Sequence, residues 1–185
     1  DTSLQANPQL YHLKYVFLTK LASLYEREMR YNKSYQTHAQ ALELATKHIG
    51  ADSIECYETM VEMSSLLAKM GTNDEECTAL AKKAIIGLKQ KAPKDTLAEQ
   101  PHLELKIAKA LAALAESKIE FHPKEAVRLA SQASKIYERL DGKQSHGWIT
   151  TAYIFAEAYD NLAESDPNAM PLATRMYDEV EETIR

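Results

Sequence analysis

The sequence contains few of the residues that interrupt regular structure. It has five glycines and six prolines in 185 residues, so long linkers and low-complexity segments are excluded. No apolar run reaches the ~18 residues that a membrane-spanning helix needs. The first residues, DTSLQANPQ, lack both the basic and the apolar part of a signal peptide. We therefore expect regular elements with short connections, and no membrane partner.

An excess of positive charge is also missing. The 22 Lys and Arg residues are outnumbered by 27 Asp and Glu residues, which gives a formal net charge of −5. Nucleic-acid binding requires a basic face with aromatic stacking platforms. Because acidic residues surround the local basic spots of this chain, the sequence predicts that the partner is not a nucleic acid.

Only two cysteines are present, Cys56 and Cys77. The helix pattern places them at opposite ends of an antiparallel helix pair, on the order of 15 Å apart, which is too far for a disulfide. Unpaired thiols favour a reducing compartment, so we expect a cytoplasmic protein. No metal-ligand spacing, phosphate-binding motif, dinucleotide motif or nucleophile motif occurs. The sequence therefore predicts no metal, no cofactor and no enzymatic activity.

The sequence does contain a repeated pattern of small residues. Four times, a small residue is followed by a small or medium residue four positions later and by Ala or Met three positions after that. The first residues of these four triplets are Ser34, Cys77, Ala126 and Ala169, and they are spaced by 43, 49 and 43 residues. A quartet of core positions precedes each triplet, and the quartets begin at Leu18, Met60, Ala108 and Ala152. Self-similarity at this period is typical of a solenoid of stacked helix pairs.

Start and stop signals divide the chain into eight helices. Asn7, Asp52 and Ser145 are suited to cap helices, Tyr31-Asn32 to form a turn, and Asp166-Pro167 to open the last helix. Gly71 and Gly142 are expected in turns that follow helices, and Pro123 is expected to open the sixth helix. Short connections make consecutive helices antiparallel. The predicted fold class is all-α, a right-handed superhelical solenoid of about four antiparallel helix pairs. We expect a single domain over residues 1–185, with units at about 8–50, 51–93, 96–142 and 145–185.

The small residues also predict where the paired helices cross. Small side chains at a crossing allow two helix axes to approach to about 8–9 Å. The repeat pattern brings together four pairs of such residues, namely Ala22 with Ser34, Ser64 with Cys77, Ala112 with Ala126, and Ala156 with Ala169.

The repeated pattern resembles the tetratricopeptide repeat (TPR) from about Tyr15 to Ile184. The best matching strings are LASLYEREMRYNKSYQTHAQALELA and FAEAYDNLAESDPNAMPLATRMYDEV. The spacing exceeds the usual ~34 residues and is similar to the extended repeats of the kinesin light chain group, whose turns resemble KHIGADS and ERLDGKQSHGW here. The aromatic residue at the family's fourth position is absent, and its proline near the repeat end is missing or displaced.

The resemblance implies a non-catalytic protein–protein interaction module, such as an adaptor or scaffold. In the family, the first helices line a concave groove that takes a partner peptide or helix. On matching positions, the expected groove residues are Thr19, Ser23, Glu26, Val61, Ser65, Lys106, Lys109, Ala113, Glu116, Tyr153 and Glu157.

Two groove features bear on the kind of partner. Lys106 and Lys109, about one turn apart, are suited to hold an acidic peptide or a C-terminal carboxylate, or else they are ordinary solvated lysines. Chaperone-binding members of the family use a Lys, Asn and Arg clamp for two carboxylates. Because the matching positions here hold Thr19, Ser23 and Glu62, binding to an EEVD-type chaperone tail is not expected.

Other interpretations of the same pattern remain open. The chain would also suit a structural or oligomerisation module, or a helical lobe of a larger multidomain protein. An exposed apolar patch on the terminal helices would favour self-association, since true end repeats have polar outer faces. The last helix ends in the polar string DEVEETIR, which is suited to such a cap and argues against self-association. The single tryptophan, Trp148, is either an interface anchor or packs onto the preceding turn.

Overall fold

The computed structural model describes residues 8–72, 74–91 and 100–185. These residues form helices and turns, with no strand among them, so the prediction of an all-α fold is confirmed. The eight helices are α1 (Pro8–Arg27), α2 (Tyr31–His48), α3 (Ile54–Met70), α4 (Asp74–Lys91), α5 (Pro101–Glu116), α6 (Pro123–Leu140), α7 (His146–Ala163) and α8 (Ala169–Ile184).

The helices pack in chain order. Each helix contacts the next, and in addition α3 contacts α5, and α5 contacts α7. The first helices of the second, third and fourth pairs therefore form one layer, and their second helices lie outside it. This arrangement of eight consecutive packed helices is consistent with a solenoid of the tetratricopeptide type. The hand of the superhelix stays a prediction.

The crossings lie where the small residues place them. All eight residues of the predicted crossings are buried. In the first pair, the Ser34 hydroxyl donates to the backbone carbonyl of Ala22 over 2.9 Å. In the second, the Cys77 thiol donates to the backbone carbonyl of Ser64 over 3.4 Å. A side chain on the second helix thus touches the backbone of the first, which fixes the close approach of the two axes.

Several predicted helix ends are correct. Ser145 caps α7, since its hydroxyl accepts a hydrogen bond from the backbone N–H of Trp148 over 3.2 Å. Gly71 follows α3 with φ of +60°, a left-handed conformation that favours glycine at the end of a helix. Pro123 opens α6 as predicted.

Three other predicted ends are wrong. Ser53 caps α3 in place of Asp52, because its hydroxyl accepts from the N–H of Cys56 over 3.2 Å. The first turn lies before Tyr31, where Met29 adopts φ of +59° and ends α1. The last helix begins at Ala169, so Asp166-Pro167 belongs to the turn before it. Asn7 lies outside the described residues, so its predicted cap has no counterpart here.

Both cysteines and the tryptophan lie in the interior of the protein. Cys56 and Cys77 are both buried and unbridged. Trp148 is buried, with the Lys143 ammonium 5.5 Å from its ring centre. The structure therefore assigns Trp148 to packing and excludes it as an exposed anchor. In the described part of the chain, no helix is long and apolar enough to cross a membrane.

Candidate functional site

An open depression of the surface lies between α1 and α3. Its volume is about 750 Å³, and α2 and α5 also contribute to its walls. Three of the residues along its α1 side are Val16, Thr19 and Ser23. Lys106 reaches its edge from α5. The depression therefore contains part of the predicted groove.

Two contacts bridge α1 and α3. The Tyr15 hydroxyl donates to the backbone carbonyl of Glu55 over 3.0 Å and lies 3.1 Å from the Thr59 hydroxyl. Further along, the Lys69 ammonium pairs with Glu26 over 2.7 Å. Because α1 and α3 do not pack closely in the way that α3 packs on α5, the space between these bridges remains open.

His38 contributes an unusual polar group to this depression. The residue belongs to α2, is 1% exposed and is one of the residues that line the depression. Among the described residues, neither Nδ1 nor Nε2 has a hydrogen-bond partner. Burial lowers the pKa of this imidazole, so at neutral pH the ring is uncharged and presents one donor and one acceptor. A buried polar group without a partner costs about 1–3 kcal/mol.

Glu62 connects the second and third pairs. One carboxylate oxygen pairs with Lys106 over 3.0 Å, and the other pairs with Lys109. Burial alone would raise the pKa of Glu62, but the ammonium groups of Lys109 and Lys106 overcome it and lower that pKa to about 2. The two predicted groove lysines are therefore paired, although their side chains remain 33% and 31% exposed, and an acidic peptide would have to compete with Glu62 for them.

The opposite part of the predicted groove is acidic. Burial and the nearby charge of Glu157 raise the pKa of Glu116, while Lys69 opposes them. Tyr153 is exposed and contacts Tyr177 edge to face, with ring centres 5.8 Å apart. Lys69 is the basic partner of this region and is already paired with Glu26. The region of Glu116 and Glu157 is therefore acidic, whereas the charges of Lys106 and Lys109 are opposed by Glu62.

Three predicted groove residues belong to the core instead. Val61 is fully buried, and Ser65 and Ala113 are almost so. Val61 and Ser65 belong to α3 and Ala113 belongs to α5, and these two helices pack against each other. These three residues cannot contact a partner in this arrangement, and their assignment to the groove is wrong.

The hydroxyls on the α1 side of the depression donate their hydrogen bonds within α1. Thr19 donates to the carbonyl of Val16 over 2.9 Å, and Ser23 donates to the carbonyl of Thr19 over 3.0 Å. They therefore offer acceptor lone pairs and small size to a ligand rather than free donors.

Sequence reasoning missed the two most constrained polar groups of the site. The sequence did not indicate that the His38 ring lines the depression. Glu62 lies 44 and 47 residues from its two lysines. No local spacing rule relates residues so far apart, although the predicted stacking of successive units could have brought them together.

The described residues offer no cluster of three His, Cys, Asp or Glu side chains that could hold a metal ion. His38 and Glu62 both line the depression, but Glu62 is bound to two ammonium groups. The site is therefore suited to hydrogen bonding and packing.

No protein-family model matches the sequence, and no curated protein matches it. Among solved structures, the chain is similar to the crystal structure of nearly identical TPR-like repeats of a protein assigned as a kinesin light chain from Podosopora anserina. The identity is 13%, 97% of each chain is covered, and the TM-score is 0.42. The structure of a variant of that protein matches at 13% identity over 95% of each chain, also with a TM-score of 0.42. The all-α architecture of this chain follows from its own helix packing.

Proposed function

We propose that the chain is a non-catalytic protein-interaction module, an adaptor or scaffold built as one array of four helix pairs. Its depression between α1 and α3 takes an extended peptide or a helix of a protein partner. The observation that carries the proposal is the buried imidazole of His38, which has no hydrogen-bond partner among the described residues although it lines an open depression.

The chemistry of His38 indicates what the partner presents there. A neutral imidazole has one donor and one acceptor, so it pairs best with a group that has both. The charged side chains that line the depression balance, with Lys20, Lys91 and Lys106 against Glu55, Glu58 and Glu62. An uncharged amide, from a peptide backbone or from an Asn or Gln side chain, satisfies the imidazole without an uncompensated charge.

Binding at this position relieves a destabilisation that is already present in the free protein. The orphan nitrogens of His38 destabilise the folded chain by about 1–3 kcal/mol, and a partner that supplies hydrogen bonds removes that penalty. The depression is formed before the partner arrives, which lowers the ordering cost of binding. Both features favour recognition of a short segment by a rigid surface.

Charge contributes to the orientation of the partner. The region of Glu116 and Glu157 attracts a basic part of the segment, and the opposite region near Lys106 and Lys109 admits an acidic part only in competition with Glu62. An EEVD-type tail finds no clamp here, and the net charge of −5 disfavours nucleic acid. We place the protein in the cytoplasm, because two buried thiols remain unbridged.

The proposal is tested by selecting displayed random 12-residue peptides on the immobilised full chain, with the His38→Leu variant as the counter-target. We expect a set of related peptides that binds the wild-type chain and is lost on His38→Leu. The exposed variant Ile86→Glu on α4 is the matched control and should keep all of them. Absence of any enriched peptide, or equal binding to His38→Leu, would contradict the proposal.

A further inference from the structure

The outer side of α1 is apolar and exposed. Phe17 is 64% exposed and Leu24 54%, and Leu10 and Leu13 on the same side are more than half exposed. These residues recur at helical spacing and form one stripe, here called the α1 stripe (Leu10, Leu13, Phe17, Leu24). Helix geometry places it on another side of α1 from Thr19, which lines the depression.

The repeat itself indicates what this stripe is for. In the register that starts at Leu18, Met60, Ala108 and Ala152, Phe17 matches Thr59, Ile107 and Thr151, which are at most 2% exposed. Leu24 matches Leu66, Leu114 and Ala158, which are at most 3% exposed. The three later first helices pack against the second helix of the preceding pair, as α2 on α3, α4 on α5 and α6 on α7. Among the described residues, no second helix covers the α1 stripe in the way that α2, α4 and α6 cover the matching positions of α3, α5 and α7.

The outer side of α8 is the complementary end. Leu172 on α8 is 43% exposed, whereas the matching Thr37 and Leu129 of earlier second helices are at most 7% exposed, and the matching Leu80 is partly buried against the core. In those helices the position faces the interior of the array. On α8 it is available to contact another first helix.

The charges of the two ends are opposite. Helix α1 contains Lys14, Lys20 and Arg27 against a single acidic residue. Helix α8 contains four acidic residues and one basic residue. Opposite charge steers and orients an association, and its contribution decreases with salt.

We propose that the α1 stripe docks a second copy of this chain through the outer side of its α8, as α2 docks on α3 within one chain. Such a contact joins two different surfaces, so each copy keeps one free end and the assembly grows head to tail. This inference is independent of peptide binding in the depression, and either can fail without the other.

The test measures mass against concentration by sedimentation or light scattering for the wild-type chain, Phe17→Glu and Leu172→Glu. We expect wild-type assemblies above 20.8 kDa that grow with concentration and shrink when sodium chloride is raised. Each single variant should be monomeric at concentrations where the wild type assembles. An equimolar mixture of the two variants should form dimers and nothing larger, because each variant retains one intact end.

Ile86→Glu, on an exposed position of α4, is the control and should assemble like the wild type. Circular dichroism and thermal melting of each variant establish that it is folded, and Leu24→Glu serves as a second α1 variant. A wild-type chain that stays monomeric at about 100 μM and low salt overturns the proposal. Assembly of Leu172→Glu like the wild type also overturns it, because the α1 stripe would then pair with itself or with another surface.

Discussion

The Ser34 hydroxyl donates a 2.9 Å hydrogen bond to the backbone carbonyl of Ala22 at the point where α1 and α2 cross. The Cys77 thiol makes the matching contact with Ser64 in the next pair. In the third and fourth pairs, alanine takes the place of the donor. Small size is therefore shared by all four crossings, and the hydrogen bond is an addition of the first two.

Ser34→Ala should lower the free energy of unfolding by about 1 kcal/mol, the usual net value of one hydrogen bond. Ser34→Leu should lower the free energy of unfolding further, because a larger side chain pushes apart two helices that meet at this contact between a side chain and a backbone. Ser23→Ala is the control, since Ser23 is exposed and bonds only within its own helix. Urea unfolding measures all three, and equal midpoints for Ser34→Leu and the wild type would show that the crossing is misplaced.

Gly87→Ala should destabilise the chain, although alanine has the higher helix propensity by about 1 kcal/mol. The Tyr57 ring lies on Gly87, and a Cβ atom there would overlap the ring carbons. Thermal melting checks the single variant. The same change in a Tyr57→Val background should be much less harmful, because the ring is gone. If Gly87→Ala melts above the wild type, Tyr57 does not occupy this position.

Glu62→Gln should lower the free energy of unfolding at pH 7 by about 3 kcal/mol. The folded pKa of Glu62 is about 2, below its ordinary 4.5. The contribution of its charge is therefore complete above pH 4.5 and is lost as the pH falls toward 2. The difference between wild type and variant should shrink over that range, as measured by urea unfolding at several pH values.

Glu28→Gln is the matched control for Glu62→Gln. Glu28 pairs with Arg30 on the exposed surface, where an ion pair contributes between zero and about 1 kcal/mol. A pH-independent difference between Glu62→Gln and the wild type would mean that the carboxylate is not held by the two lysines. The double change of Lys106 and Lys109 to Glu should destabilise the fold as well, because it places three carboxylates together.

His38→Leu should raise the free energy of unfolding at pH 7 by about 1 kcal/mol, since it removes a buried polar group that has no partner among the described residues. Because burial lowers the pKa of His38 in the fold, the unfolded chain binds the proton more readily. The wild type should therefore lose stability as the pH falls below 6.5, and this loss should be smaller in His38→Leu. Melting curves between pH 7 and pH 5 give the comparison, and parallel slopes would contradict it.

The fold could be predicted because the repeat pattern constrains every unit in the same way. Small residues at Ser34, Cys77, Ala126 and Ala169 recur for a packing reason, and that reason does not depend on distant parts of the chain. Helix ends were less predictable, because several capping residues compete locally. At the start of α3, Ser53 and Asp52 are both good caps, and Asp52 instead accepts a hydrogen bond from the Tyr57 hydroxyl over 3.1 Å.

The site was only partly predictable. Thr19, Ser23 and Lys106 line the open depression, whereas Val61 was assigned to the groove and is buried. The family pattern assumes one superhelical geometry, and here α3 packs closely on α5 but not on α1. Burial of a first-helix residue therefore differs between neighbouring units, and the sequence pattern alone does not contain that difference.

The glycines also show which contacts local sequence signals report and which they do not. Gly71 and Gly142 have positive φ values and follow helices, as the sequence indicates. Gly87 and Gly147 lie within or at the start of helices, and tyrosine rings cover them, Tyr57 on the first and Tyr137 on the second. The rings come from helices that are neighbours only after packing, so local sequence signals do not report them.

Binding of a partner segment in the depression that His38 lines is the property on which the proposed function depends. It is tested most directly by titrating one selected, fluorescently labelled peptide with the wild-type chain, His38→Leu and Ile86→Glu. We expect equal affinity for wild type and Ile86→Glu, and at least tenfold weaker binding to His38→Leu, which corresponds to about 1.4 kcal/mol, although His38→Leu is the more stable fold. Equal affinity for all three proteins would contradict it.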